Sequence, residues 1–227
     1  MIFAGYLAKK KLMIENSSPG RRTVQSLKRQ VGNRSVKKTI LVFCEGEQTE
    51  PKYLEGLKKL SRVREFSAIQ IHYESGGKKP KSLIQEALTF MKNLDSDREF
   101  DEVWCVFDVE WPINHPELGE SIELANRGGL KLAISNPCFE LWLILHFQDY
   151  RKWVDNKEAI ALKGKLDSKS RGKDLDFSVY SETISEANDR ARELDIWHKG
   201  NETNFPNNNP SSGMYLLIES VTGGSKP

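Results

Sequence analysis

Between residues 39 and 147, short apolar runs alternate with amphipathic stretches four times, and no other feature of the chain restricts its fold as much. Strands that each return through a helix pair in parallel, and the helices they carry cover both faces of the sheet. The first run, Thr39–Cys44 (TILVFC), is continuously apolar, as in a strand buried on both faces. Thr49–Leu60 places Tyr53, Leu54, Leu57 and Leu60 on one helical stripe. Phe66–Tyr73 alternates as a strand, and Gly76-Gly77 interrupts the chain before a helix over Pro80–Leu94. Glu102–Phe107 is the third strand, Pro116–Asn126 a helix closed by Gly128-Gly129, Leu130–Ile134 the fourth strand and Pro137–Phe147 an apolar helix. In the last of these, Asn136 suits the N-cap and Pro137 the first helical position.

The expected fold class is therefore α/β, a mainly parallel sheet with helices on both faces. A helical C-terminal part follows, read from Lys157–Leu166, Thr183–Trp197 and Met214–Val221, the last capped by Ser211 or Ser212. Lys163 to Lys173 reads as a basic loop, and Asn201–Ser212 (NETNFPNNNPSS) as a polar stretch unable to pack a core. Residues 1–38 carry ten Lys/Arg against Glu15, a net +9 in a chain of net +2, which leaves the rest at −7. Residues 1–37 thus read as a basic extension ahead of a body at 38–222. Such an arm, with Arg21 and Arg22, either binds a polyanion such as nucleic acid or is a solvated leader. No apolar run of membrane-spanning length occurs, and the start of the chain lacks the order of a secretory signal, so a cytoplasmic protein is expected. Cys44, Cys105 and Cys138 are widely spaced without CxxC, which fits reduced, buried thiols rather than zinc.

Ligands on open parallel sheets sit beyond the carboxyl ends of the strands. There the first strand is followed by Glu45-Gly46-Glu47 and Thr49-Glu50, and the third by Asp108-Val109-Glu110. Residues two apart on an extended segment face the same way, so Asp108 and Glu110 are expected to converge, with Glu45 opposite if the two strands are neighbours. Clustered carboxylates ionise together only around a cation, and all-oxygen donors suit Mg²⁺ or Mn²⁺. Gly46 would leave room for a phosphate or metal. The plainer alternative is helix caps and surface charges. Glu140, one turn into its helix, is either a further ligand or a complement to the helix dipole, whose N-terminus faces the same surface. His146 reads as a packed helix histidine. Gly76 to Lys79 offers amides and two lysines, Lys78 and Lys79, to a phosphate backbone. The absence of GxxxxGK[ST] excludes a P-loop ATPase.

Three blocks, Ile40–Tyr53 (ILVFCEGEQTEPKY), Ser135–Trp142 (SNPCFELW) with His146-Phe147, and Asn209–Ser212 (NPSS), resemble the RloB-like branch of the Toprim-type proteins. The resemblance implies a Toprim-like fold with a Glu after the first strand, here Glu45, and an Asp-x-Asp after the third. Asp108 matches the start of that pair, and Glu110 replaces its second aspartate. It further implies catalysis by Glu45, Asp108 and Glu110 with Mg²⁺ (or Mn²⁺) held by these residues and Glu140, Glu47 and Glu50 being second choices. The implied activity is phosphodiester cleavage of DNA or RNA in a bacterial anti-phage defence system, alongside a partner ATPase. Two readings stand: a metal-dependent nuclease, or a catalytically weakened module that recruits nucleic acid or the ATPase. Sheet edges and the Pro137–Phe147 helix leave a homo-oligomer open.

Overall fold

The computed structural model describes residues 37–74, 76, 78–94, 99–111, 115–170 and 175–224. The basic extension, with Arg21 and Arg22, lies outside the described residues.

Four parallel strands run β1 (Lys38–Cys44), β2 (Ser67–His72), β3 (Glu102–Asp108) and β4 (Lys131–Asn136), and a two-residue β5 (Ser211–Ser212) adds antiparallel to β4. The order across the sheet is β2-β1-β3-β4-β5, with β1 and β3 inside. The continuous apolar runs of those two strands follow from their position. In β1, Ile40, Val42 and Cys44 enter one core while Leu41 and Phe43 enter the other. In β3, Trp104 and Val106 join the first core, and Val103, Cys105 and Phe107 the second.

The first core is closed by α1 (Thr49–Leu57), α2 (Ser61–Phe66), α5 (Phe139–Leu145), α7 (Ile184–Gly200) and α8 (Met214–Val221). The second is closed by α3 (Pro80–Lys92) and α4 (Leu118–Arg127). The chain is thus α/β, with a mainly parallel sheet covered on both faces. A smaller cluster of Cys138, Ile144, Val154 and Ala159 seats α6 (Asn156–Leu166). Asp155 starts that helix with a capping box to Glu158, which satisfies two otherwise orphaned N–H groups. Among the described residues no helix is long and apolar enough to cross a membrane.

Several local expectations are corrected. The first helix stops at Leu57, Leu60 turns extended, and Ser61–Phe66 forms its own helix. Phe66 therefore lies outside the strand, which begins where Ser67 pairs with Lys38. Asn136 does not cap α5. It is the last residue of β4, paired with Ser211, and its side chain accepts from Trp111 Nε1 while donating to the Pro206 carbonyl and Asn208 Oδ1. The helix starts two residues past Pro137, behind Cys138. α6 takes in Lys163, whose ammonium is buried 3.5 Å from Asp167, so the basic loop begins only at Asp167.

The asparagine-rich stretch does enter the core. Asn209, Ser211 and Ser212 are all buried. Asn209 accepts from the Val154 N–H at 3.2 Å and donates to the Val154 carbonyl at 2.8 Å, as a strand residue would. Matched hydrogen bonds let this polar segment be buried. Ser211 and Ser212 extend the sheet, and Gly213 occupies the N-cap of α8.

Candidate metal centre at the strand ends

Adjacency of β1 and β3 decides the site. Glu45 continues the ladder by donating its N–H to the Val106 carbonyl at 3.0 Å. Its carbonyl accepts from the N–H of Lys78 at 3.2 Å, and its carboxylate Oε2 accepts from the N–H of Asp108 at 2.9 Å. Glu45 and Asp108 therefore stand side by side, as the strand order requires.

Beyond Asp108 the alternation holds for one more residue and then the extended backbone ends. Val109 follows Phe107 into the second core, and Glu110 then adopts φ +60°, a left-handed backbone uncommon outside glycine. Its N–H donates to the Pro137 carbonyl at 2.8 Å, which anchors that conformation. The bend returns the Glu110 carboxylate toward Glu45 by way of His115. His115 Nε2 lies 3.3 Å from Glu110 Oε2 and 3.6 Å from Glu45 Oε1. Trp111 leaves the site altogether: its ring bonds Asn136 and meets Trp153 edge-on.

Glu50, from the first turn of α1, is buried against Gly46, where a Cβ would come within 2.3 Å of Glu50 Oε2. Gly46 thus makes room for Glu50. Glu140, in the first turn of α5, contributes repulsion at Asp108. Glu47 points elsewhere and accepts the Gly76 N–H at 2.7 Å, joining the loops that follow β1 and β2.

The electrostatics are those of crowded acids. Burial foremost pushes the Glu45 carboxyl up to about 8; the Asp108 amide opposes this, and Glu110 and Glu50 add to it. Burial first, then the charges of Glu50, Glu45 and Glu140, hold Asp108 far above the carboxylate range against one favourable N–H from Phe139. Asp108 Oδ1 is buried with no hydrogen-bond partner among the described residues, and so are both ring nitrogens of His115. A buried acceptor left bare beside mutually repelling acids fits a divalent cation, which would restore ionisation to all of them.

A second group, His72, Glu74 and Glu86, brings its ligand atoms within 4.8 Å of one another; among the described residues Glu45, Asp108, Glu110 and Glu140 are not drawn that tight. In that group a cation is already supplied by Lys78, whose ammonium lies 3.0 Å from Glu74 and 2.6 Å from Glu86. Lys79 stands exposed just ahead of α3. His146 is structural: it bonds the Tyr53 hydroxyl at 3.1 Å and Thr183 Oγ1 at 3.0 Å, and burial pulls it down to about 3. The three cysteines are free and buried, and burial pushes Cys105 up to about 12, which leaves these thiols inert.

His115 was not legible as a site residue. It belongs to no motif, and only the bend at Glu110 brings it to Glu45.

No curated protein and no solved structure matches the chain. The family model described as RloB-like protein matches residues 40–221, from the middle of β1 to the end of α8, and so includes the strands and helices that build the strand-end site. The chain belongs to the RloB-like protein family.

Proposed function

We propose that the chain is a divalent-cation-dependent phosphodiesterase acting on DNA or RNA, a Toprim-like nuclease of bacterial anti-phage defence that works in the cytoplasm beside a partner ATPase. The observation that carries this reading is the buried Oδ1 of Asp108 next to Glu45, without a hydrogen-bond partner among the described residues, in a cluster whose acids oppose each other's ionisation. Glu45, Asp108 and Glu110 would hold Mg²⁺ or Mn²⁺, with Glu140 as a further ligand. Such an ion polarises a phosphoryl oxygen and lowers the pKa of a bound water. The chain's own contribution is positional: β1 and β3 set Glu45 against the Asp108 amide, and the left-handed Glu110 turns its carboxylate inward. Lys79, and Lys78 once released from Glu74 and Glu86, would meet the nucleic-acid backbone together with Arg21 and Arg22.

One observation favours a second reading, a binding module without catalysis. Glu110 and Glu45 both lean on His115, an internal arrangement that a disused site could retain. Labelled DNA and RNA incubated with the purified chain and Mg²⁺ or Mn²⁺, wild type beside Asp108→Asn, separates the two. Cleavage by wild type alone supports the enzyme. No cleavage by either protein, with the partner ATPase present, supports the module.

A further inference from the structure

Nothing in the sequence pattern assigns His115 a task, yet its surroundings are those of an interrupted coordination shell. The side chain is 9% exposed, and neither ring nitrogen has a hydrogen-bond partner among the described residues. Nε2 nevertheless sits 3.3 Å from one glutamate oxygen and 3.6 Å from another, without hydrogen-bond alignment to either. Donor atoms on neighbouring corners of one octahedral cation, each about 2.1 Å from it, are about 3 Å apart. His115 Nε2 meets that spacing to Glu110 Oε2 and to Glu45 Oε1 in turn, while the three ligand atoms together are not drawn within 4.8 Å of one another, so the two glutamates would close in on a bound cation. A nitrogen donor also solves a local problem. The site already holds Glu45, Glu50, Asp108 and Glu140, which repel one another, and an imidazole adds a ligand without adding negative charge.

We propose that His115 is a nitrogen ligand of the strand-end metal, and that it makes the site select Mn²⁺ over Mg²⁺. The inference rests on reading the strand-end carboxylates as a metal site. Mg²⁺ is hard and favours oxygen donors throughout, whereas a first-row transition ion accepts imidazole beside carboxylates. Selectivity is thereby set by one side chain from outside the acidic motifs.

The test is Mn²⁺ binding to the full chain, read by titration calorimetry against Mg²⁺ and by pulsed electron paramagnetic resonance, which detects nitrogen bonded to Mn²⁺. Of the chain's four histidines, His146 is bonded at both ring nitrogens and His198 donates Nε2–H to the Pro210 carbonyl at 2.8 Å, which leaves His72 as the necessary control. Wild type should bind Mn²⁺ about tenfold or more tightly than Mg²⁺ and show nitrogen coupling. His115→Gln should lose the coupling and bring the two affinities within about threefold, while His72→Gln keeps both properties. Coupling that survives His115→Gln, or an unchanged Mn²⁺ preference in that variant, overturns the role of His115 and leaves the carboxylate site standing. Absence of any divalent binding by wild type overturns the metal-site reading itself, and this inference with it. Should His115→Gln fail to fold, ¹⁵N-histidine in the His72→Gln chain reads the same bond: a changed coupling supports it, and an unchanged spectrum overturns it.

Discussion

The carboxylate of Glu45 accepts the backbone N–H of Asp108 at 2.9 Å, so two acids from different strands share one end of the sheet. Neutralising either should remove activity without removing the fold. Asp108→Asn and Glu45→Gln are each expected to reduce metal-dependent cleavage at least about a hundredfold. Their circular dichroism should match wild type. Cleavage that persists in both variants would falsify the assignment.

The same crowding makes metal-free stability fall as pH rises. The folded-state pKa of Glu45 is raised to about 8, so between the unfolded value near 4.5 and about 8 the folded chain binds more protons than the unfolded one. Stability then declines with rising pH across that window. Thermal melts with a chelator should show a lower Tm at pH 8.5 than at pH 6, and added Mn²⁺ or Mg²⁺ should reverse most of the loss. A Tm in chelator that rises over this range would contradict the proposed electrostatics.

At the opposite end of the sheet Glu102 behaves in the reverse sense. Burial acts to raise its pKa, but Lys131, Lys38, Ser220 and the Trp104 indole N–H together pull it down to about 2. Its contribution is present above about 4.5 and lost as pH falls through about 2. Glu102→Gln should cost about 1–3 kcal/mol at pH 7 and progressively less toward pH 2, measured by urea unfolding at both pH values. A penalty independent of pH would show that shape rather than charge matters there.

Lys79 and Lys78 should differ although they are neighbours. Lys79 is exposed, whereas the Lys78 ammonium is engaged by Glu74 and Glu86. Lys79→Ala is expected to reduce the salt dependence of nucleic-acid binding by about one unit of slope, and Lys78→Ala by less. Fluorescence anisotropy across a salt series distinguishes them, and equal effects would mean that the ion pairs open on binding.

Asn209→Ala should destabilise the chain by about 2 kcal/mol, because it leaves both the N–H and the carbonyl of Val154 buried without partners. Chemical denaturation measures this directly; a loss below about 0.5 kcal/mol would indicate that water replaces the amide.

What the sequence made legible follows physical range. Period and polarity are local, so the alternation of Thr39–Cys44 with its neighbours and the span of Met214–Val221 could be read from the chain alone. Glu45 and Asp108 were readable because strand order places them. Asn209 was not, since its burial depends on Val154, 55 residues away. His115 escaped for a similar reason: its role hangs on a left-handed turn at a glutamate, a conformation no propensity favours at that residue.

The two-residue strand Ser211–Ser212 also has a consequence for assembly. It pairs with Ser135 and Asn136 of β4 and leaves Lys131–Ala133 without a strand partner on that side among the described residues, so this border is capped over two residues. The opposite border, Ser67–His72, is six residues long and, among the described residues, pairs only with β1. Among the described residues, Ser67–His72 is therefore the longer strand edge left for another strand to pair with.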